Sequence, residues 1–366
     1  MEPALDSALL DVLREASVRT ARTGRADEAA LRAVRASGLL GLAVPVGFGG
    51  AGGSAATVNA VLEEVARVDP SMATVLFQHF AVSARIGEWG TPAQQARLLP
   101  RMAAGWVLAA SAWSETGAGA AKERLAATAR AGADGSWTLD GVGSFTTGAG
   151  IADLYLVLVQ TSEAEDGSAR RGSRGQTFFL VPADNPGLTP EPSPDPTGMR
   201  GSATGCVALN GCRVADGDRL GPLGGATEII AGVRETGSTL GAVSAGIARA
   251  VLDLALAHFG RAGLPAGSPR AARLVELATS VEAARAVVAS AGRRGSAGPG
   301  TTTLHSKLFA SQAAEQIALD ASRLLGPVGH VTDHRLGTLL ADARAVTMMG
   351  PANHVCRELI AASLQR

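Results

Sequence analysis

Cysteine is scarce in this sequence. Three cysteines, Cys206, Cys212 and Cys356, are scattered over the second half of 366 residues. A disulfide framework needs more cysteines, and a zinc site needs closely spaced ligands. We therefore interpret the three as buried or half-buried thiols, expect no metal site, and expect a cytoplasmic protein.

Net charge and long apolar runs are also lacking. The chain has 33 basic and 33 acidic side chains, and no basic block stands out. Nucleic acid and anionic membranes are therefore not expected partners. No apolar run reaches the roughly 18 residues of a membrane span. The start, Met1 to Asp6, has no basic region followed by an apolar core, so we expect no signal peptide.

What is present is the composition of a folded protein, with 46% apolar and 18% charged residues. Apolar residues recur at helical spacing first, then short β-branched segments follow, and the helical spacing then returns. This order predicts an α+β fold with an N-terminal helical domain (residues 1–105), a middle antiparallel β domain (106–225) and a C-terminal four-helix bundle (226–366). The last three helices are predicted at 268–292, 302–325 and 335–363.

The stretch from Trp106 to Val159 carries the clearest chemical signal. Small residues and hydroxyl groups surround one aromatic, Phe145, and are followed by the apolar segment from Leu154 to Val159. Main-chain N–H and hydroxyl donors suit a flat ring that accepts electrons, because they stabilise the charge that reduction places on it. Turn chemistry alone is the alternative explanation for these hydroxyls.

Short motifs in a fixed order resemble those of the acyl-CoA dehydrogenase superfamily of flavoproteins, over nearly the whole chain. The motifs are Gly38-Leu-Leu-Gly-Leu-Ala-Val-Pro45, Gly90-Thr-Pro92, Ser114-Glu-Thr-Gly-Ala-Gly119, Leu139-Asp-Gly141, Phe145-Thr-Thr-Gly148, Gly198-Met-Arg-Gly-Ser202, Leu325-Gly-Pro-Val-Gly329 and Ala341-Asp-Ala-Arg344. Each motif is modest by itself, and their common order indicates the fold.

The resemblance implies a flavin cofactor, FAD with FMN as the alternative. At the matching positions the flavin contacts would be Trp113, Ser114, Gly119, Phe145, Thr146, Thr147, Gly326 and Gly329. The resemblance also implies a homodimer or homotetramer, and a small-molecule or acyl-thioester substrate on CoA or a carrier protein. A flavin reductase or an electron acceptor would be a further partner. The family's Arg-x-x-Phe-Gly motif is replaced by the segment from Arg261 to Ser268, which leaves FAD against FMN open.

The usual catalytic base is missing at the matching position. In the dehydrogenases a glutamate before a glycine removes the α-proton of the acyl thioester, and here Met349 precedes Gly350. A thioether cannot accept that proton. In some members the base lies on the first helix of the C-terminal bundle, which here corresponds to Thr236, with Glu235 beside it. We therefore name Glu235 as the candidate base and Met349, Thr236 and His354 as candidate substrate contacts.

Three histidines have two interpretations each. His330 and His354 are each either a base or an ordinary surface or helix-end residue. His79, within an apolar helical segment, is either a functional group or a hydrogen-bonded core residue.

Three functional hypotheses follow. The first is an acyl-thioester dehydrogenase with a relocated base. The second is a reduced-flavin-dependent monooxygenase of the same superfamily, since those members also lack the glutamate. The third is a non-catalytic homologue that binds flavin or an acyl group.

Overall fold

The computed structural model describes residues 5–114, 125–161, 175–192, 195–263, 265, 267–294, 298–331 and 334–365. The helices are α1 Ser7–Thr23, α2 Glu28–Ala36, α3 Ala55–Val68, α4 Pro70–Trp89, α5 Pro92–Ala103, α6 Ala226–Glu235, α7 Gly241–Ala262, α8 Pro269–Gly292, α9 Pro299–Leu325, α10 Arg335–Met348 and α11 Asn353–Leu364. The strands are β1 Ala109–Ala112, β2 Thr128–Ala131, β3 Ser136–Thr146, β4 Leu154–Gln160, β5 Gln176–Pro182, β6 Leu188–Pro192, β7 Gly205–Ala215 and β8 Arg219–Leu220.

The N-terminal helices begin where the sequence supplies caps. Ser54 Oγ accepts a hydrogen bond from Thr57 N at 3.2 Å, and Asp69 Oδ1 accepts one from Met72 N at 3.0 Å. Thr91 and Gln94 form a reciprocal capping box at the start of α5. Each cap satisfies backbone donors that the first helical turn leaves unpaired.

The predicted succession of helices, sheet and helices is confirmed by the order of these elements along the chain.

The sheet is mixed, whereas the sequence had predicted an antiparallel unit. Its strand order is β6-β7-β3-β2-β4-β5-β8, and β1 pairs with β4. Most neighbours are antiparallel, but β1 and β2 both run parallel to β4. Two parallel strands cannot be joined by a tight turn and need a longer connection. Between β1 and β4 that connection contains β2 and β3, and it returns the chain to the end of the sheet at which β1 starts.

Two strands were not predicted. β6 reads Leu-Thr-Pro-Glu-Pro, and its two prolines cannot donate to a strand ladder. It forms one edge of the sheet, paired only with β7 along the strand order. β8 at the other edge is two residues long.

The β domain has apolar residues on both faces of its sheet. Along β4, Tyr155, Val157 and Val159 belong to a core formed only by β-domain residues. The alternate residues Leu154, Leu156 and Leu158 pack with residues of α4, α5 and α6. Side chains alternate along a strand, so one strand contributes to both cores. The sheet therefore has a core made of its own residues on one side and helices on the other.

The C-terminal region is a bundle of α7, α8, α9 and α10, preceded by α6 and followed by α11. The predicted helix 335–363 is wrong in one respect, because it is divided between α10 and α11. Gly350 and Pro351 cause the break, since proline lacks an N–H and disfavours a helical residue before it. α7 is long and apolar enough to cross a membrane by length and composition, but 61% of that stretch is buried inside the protein.

Candidate functional site

Phe145 stands out at the irregular end of β3, one residue before the strand gives way to a turn. Its φ is +52°, a region that bulky residues rarely occupy, and its side chain is 70% exposed. Its neighbours Ser144, Thr146 and Thr147 are buried. The pairing of β3 with β7 shifts register between Gly143 and Thr146. The irregular turn thus holds an aromatic ring outside the core.

Close approach of β1 fixes this turn. A Cβ at Gly143 would lie 2.8 Å from the Cβ of Ala112, so glycine is needed there. Ser144 N donates to Ser114 O at 2.7 Å, and the Trp113 ring lies 4.9 Å from that of Phe178. Trp113 and Ser114 are therefore next to the Phe145 turn, although they lie about thirty positions before it in the chain.

Hydroxyl groups line the other side of the turn. Thr147 Oγ1 lies 3.5 Å from Thr204 Oγ1, which is 2.7 Å from Ser202 Oγ. Gly148 N donates to Ser202 O at 3.0 Å. Met199 and Ala203, on the adjoining loop, have positive φ.

These features fit a flavin ring. An exposed aromatic side chain beside hydroxyl groups and a tight turn offers a flat apolar surface with polar groups at its edge. Of the predicted contacts, Trp113, Ser114, Phe145, Thr146 and Thr147 lie together. Gly119 lies outside the described residues.

A separate cavity of about 460 Å3 lies where the N-terminal helices meet the end of α6. Apolar and small side chains form most of its wall, with a few charged groups among them. The lining residues are Ala43, Pro45, Gly53, Ser54, Ala55, Val58, Phe77, Phe80, Ala81, Ala84, Arg85, Gly87, Glu88, Gly232, Val233, Glu235, Thr236, Ser238 and Arg294.

Glu235 and Thr236 both line this cavity. Glu235 is the last residue of α6 and is exposed. Thr236 Oγ1 donates to Val233 O at 2.9 Å and accepts from Ser238 N at 3.3 Å. The chain leaves the helix here, with Gly237 at φ +83°.

Arg85 was not identified from the sequence. It is 1% exposed, and within the described part of the chain its Nε and Nη1 have no hydrogen-bond partner. Glu88 Oε2 lies 2.8 Å from Nη1, so the charges attract, but the angle does not make a hydrogen bond. Burial lowers the pKa of Arg85. The available signal was a single charged residue within the segment from Phe80 to Ile86, whose other residues are apolar except for Ser83.

The remaining predicted site residues do not line the cavity. Met349 is the C-cap residue that follows α10, and it packs against the main helical core. His354 is exposed in the first turn of α11. Gly326 and Gly329 lie in the 3₁₀ turn Gly326–His330, where His330 is also exposed.

Lys307, which the sequence did not single out, positions the segment that contains Met349. Its side chain is 3% exposed and Nζ donates to Asn353 Oδ1 at 2.6 Å and to Thr347 O at 3.3 Å. Ser311 Oγ donates to the same Asn353 oxygen at 3.1 Å. The link between α10 and α11 is thereby tied to α9.

His79 is a core residue. It is fully buried, with Nε2 2.8 Å from Leu40 O and Nδ1 accepting from Ala109 N at 3.1 Å. Burial lowers its pKa to about 4, so the ring is neutral at ordinary pH. The interpretation of the three cysteines as buried or half-buried thiols is also correct, since Cys212 and Cys356 are buried and Cys206 is half-buried.

The cavity and the strand end that precedes the β-domain turn are connected through one hydrophobic core. The cavity lining contains none of the predicted flavin contacts. However, Ile86 of α4 and Ile229 of α6 share a core with Trp113, and the same two helices supply Arg85 and Gly232 to the cavity.

Known proteins resemble the chain over its full length. Models of the acyl-CoA dehydrogenase N-terminal, middle and C-terminal domains match residues 8–106, 110–212 and 225–365. The probable acyl-CoA dehydrogenase FadE25 of Mycobacterium tuberculosis is 31% identical over 93% of this chain and 88% of its own length. Two solved structures resemble the fold at 23% identity. Butyryl-CoA dehydrogenase from Megasphaera elsdenii has a TM-score of 0.85, with 100% of both chains covered. The dibenzothiophene monooxygenase TdsC from Paenibacillus has a TM-score of 0.82, with 97% of this chain and 94% of that chain covered.

The three domain matches agree with the succession of helices, sheet and helices, and with a β-domain turn suited to a flavin. The chain belongs to the acyl-CoA dehydrogenase family of flavin-dependent oxidoreductases.

Proposed function

We propose that this chain dehydrogenates an acyl thioester held in the 460 Å3 cavity, with Glu235 as the base and FAD as the cofactor. The observation that carries the proposal is that Glu235 lines the cavity while Met349, at the usual base position, does not. A carboxylate accepts a proton, whereas a thioether does not. The relative FadE25, named a probable acyl-CoA dehydrogenase, supports this reaction class.

Phe145, Thr146, Thr147, Trp113 and Ser114 would hold the flavin ring in the β domain. When bound, the flavin supplies a two-electron acceptor for the hydride that leaves the substrate β-carbon. The exposed ring of Phe145 would pack on the cofactor, and the neighbouring hydroxyls would hydrogen-bond its polar edge.

Glu235 would take the proton from the substrate α-carbon. The C–H bond breaks toward a glutamate oxygen, and the electron pair forms the new carbon–carbon double bond as the β-hydride departs. Phe77, Phe80 and Val58 on the cavity wall would pack along the acyl chain and exclude water from it. Within the described part of the chain the Glu235 carboxylate has no hydrogen-bond partner, which leaves it available to the substrate.

Replacement of Glu235 by Gln tests the role of the carboxylate. The change keeps the size of the side chain and removes the proton acceptor, so we expect flavin reduction by an acyl thioester to slow by about 10²- to 10⁴-fold. Anaerobic stopped-flow bleaching of the flavin measures this rate.

Glu228→Gln is the matched control, because Glu228 is exposed in the first turn of the same helix and does not line the cavity. It should reduce its flavin at the wild-type rate. Wild-type rates in Glu235→Gln would remove Glu235 as the base. If no thioester in a broad panel bleaches the flavin, the proposed dehydrogenation is wrong.

Oxygenation by reduced flavin is the second candidate function. The Met349 position and the fold likeness to a dibenzothiophene monooxygenase favour it. With a flavin reductase, NADH and labelled oxygen, this alternative predicts the label in an organic product. If the protein is a dehydrogenase, the amount of labelled oxygen in the organic product should not exceed the background level.

The partners follow from the proposed reaction. The acyl group would arrive on CoA or a carrier protein in the cytoplasm, and the reduced flavin would pass its electrons to a separate acceptor. We propose a homodimer or homotetramer, as is common in the family.

A further inference from the structure

The link between α6 and α7 (residues 236–240) follows Glu235 directly, and a buried amide from α3 holds it. Asn59 is 3% exposed. Its Nδ2 donates to Gly237 O at 3.0 Å, and its Oδ1 accepts from Thr239 N at 3.0 Å. Because an amide side chain both donates and accepts, this one group satisfies two backbone groups of the link that lie two residues apart.

Glycines let the backbones of three elements meet around this amide. A Cβ at Gly237 would lie 2.4 Å from Ala291 O, near the end of α8. A Cβ at Gly292 would lie 2.9 Å from Ala56 Cα and 3.2 Å from Asn59 Nδ2. The α6–α7 link and the first turn of α3 are therefore both in close contact with the end of α8, and Asn59 lies at that junction.

Two further side chains hold the same link. Arg294 Nε donates to Thr236 O at 3.1 Å, and Ser306 Oγ, on α9, donates to Thr239 Oγ1 at 3.0 Å. Arg294 has a φ of +51°, a conformation that persists only where neighbouring contacts fix it. Side chains from three separate parts of the chain therefore fix the α6–α7 link.

The side chain of Glu235 has no comparable support. It is exposed, and its carboxylate makes no hydrogen bond within the described residues. A Cβ at Gly300, at the start of α9, would lie 3.5 Å from Glu235 Cγ, which is ordinary packing contact. The place of the carboxylate at the cavity wall therefore depends on where the backbone at the end of α6 lies.

We propose that Asn59 is a positioning residue for Glu235, supported on the same link by Arg294. By fixing Gly237 and Thr239, Asn59 sets the end of α6 and hence the distance from the glutamate oxygen to the substrate α-carbon. This inference rests on the proposed function, in which Glu235 is the base. A reacting group misplaced by about 1 Å can cost about 10²-fold in rate, so a small shift of the link has a measurable effect.

Asn59→Ala removes both hydrogen bonds to the link. Anaerobic stopped-flow mixing of the holoenzyme with butyryl-, octanoyl- and isovaleryl-CoA identifies the fastest of the three, which is then used throughout. The limiting rate of flavin reduction should fall by about 10- to 100-fold. The half-saturating thioester concentration should change by less than about threefold, because Asn59 does not line the cavity.

The Glu235→Gln background separates positioning from general damage to the fold. With no carboxylate to place, Asn59→Ala should slow the residual flavin reduction of Glu235→Gln by less than about threefold. An equal loss in both backgrounds would make Asn59 a structural residue and overturn this inference alone. A wild-type rate in Glu235→Gln would instead contradict the proposed function, so the two failures are distinguishable.

Gln94→Ala is the matched control. Gln94 is 2% exposed, and its amide also binds backbone, donating to Gly217 O at 2.9 Å and to Arg219 O at 2.8 Å. It does not line the cavity. Its loss should lower the urea midpoint of unfolding and leave the limiting rate unchanged. A loss of rate equal to that of Asn59→Ala would overturn the inference.

Hydrogen exchange examines the link without any substrate. Deuterium uptake of the holoenzyme is followed by mass spectrometry in peptides that span residues 236–240. The Thr239 N–H donates to Asn59 Oδ1, so its exchange should be about tenfold faster in Asn59→Ala than in the wild type. Unchanged uptake would show that Asn59 does not hold the link and would overturn the inference.

Arg294→Gln keeps the inference testable if Asn59→Ala does not fold. Arg294 is exposed, so its replacement leaves the core intact while it removes the hydrogen bond to Thr236 O. The limiting rate should fall by about three- to tenfold in the wild-type background and stay unchanged in Glu235→Gln. A fall of the same size in both backgrounds, or in neither, would overturn the inference.

Discussion

At the scale of single residues, backbone strain marks the two places where chemistry is proposed. Phe145, Met199, Ala203 and Arg294 are the non-glycine residues with positive φ in the described part of the chain. The first three surround the β-domain turn, and Arg294 lies at the cavity. Each such residue costs about 1–3 kcal/mol and persists only where neighbouring contacts fix it.

Phe145 gives a prediction that separates cofactor binding from folding. Phe145→Ala removes a ring that is 70% exposed, so the free energy of unfolding of the flavin-free protein should change by less than ~1 kcal/mol. The dissociation constant for flavin should rise by roughly tenfold, because the stacking surface is lost. Urea unfolding and fluorescence titration with flavin measure the two quantities.

Phe179→Ala is the contrasting variant. Phe179 is fully buried on β5 and packs against Trp137, so its loss should lower the free energy of unfolding by ~3–5 kcal/mol. A Phe145→Ala protein that loses as much stability as Phe179→Ala would make the exposed ring a structural element rather than a flavin contact.

At the scale of elements, the link between α10 and α11 depends on one buried cation. Burial lowers the pKa of Lys307 from 10.5 to about 8, and its bonded side-chain partner, Asn353, is neutral. Burial of the charged lysine therefore lowers the free energy of unfolding. The loss is greatest below pH 8, where Lys307 is protonated in both the folded and the unfolded chain, and it disappears as the pH rises toward 10.5.

Lys307→Met measures this effect. The free energy of unfolding of the wild type, relative to the variant, should rise between about pH 8 and pH 10, by up to ~3 kcal/mol for a pKa difference of this size. Urea titrations at intervals across that range test it. A constant or falling difference would show that Lys307 is not buried as a cation in the folded protein.

At the scale of the whole molecule, Asp342 joins the β domain to the helical bundle. Its Oδ1 accepts a hydrogen bond from Met199 N at 2.6 Å, and a Cβ at Gly198 would lie 2.3 Å from Ala341 O. Two motifs far apart in the sequence, Gly198-Met-Arg-Gly and Ala341-Asp-Ala-Arg, are therefore explained by one contact.

Asp342 makes the stability of this contact depend on pH. Burial raises its pKa from 3.8 to about 7, with Asp69 adding to the rise and Arg335 opposing it. The folded chain retains a proton that the unfolded chain releases above pH 4, so stability should fall as pH rises from about 4 to 7. Asp342→Asn keeps the acceptor oxygen and has no such titration.

The free energy of unfolding of Asp342→Asn, relative to the wild type, should therefore increase across that interval, by a few kcal/mol at most (~1.4 per unit of pKa shift). Thermal or urea unfolding of the two proteins at pH 4.5 and pH 7.5 gives the comparison. The same difference at both values would contradict the raised pKa.

The sequence predicted the arrangement of the fold better than the site. Apolar residues recur at different intervals in helices and in strands, so a short stretch of sequence is enough to tell the two apart. The caps Ser54, Asp69 and Thr91 are likewise next to the helices that they begin. Gly350 and Pro351 also indicated a break in the sequence, but the helical spacing on both sides of them led to the prediction of one helix over 335–363. The cavity was not predictable in this way, because Arg85, Gly232 and Arg294 meet only when segments separated by up to about two hundred positions pack together.

The prolines of β6 have a consequence for association of the protein with itself. Open sheet edges recruit strands from other molecules. Pro190 is exposed on the edge strand and offers no N–H, and the opposite edge, β8, is only two residues long. The two ends of this strand order therefore offer few backbone donors to a strand from another molecule, which disfavours growth of the sheet by edge-to-edge pairing.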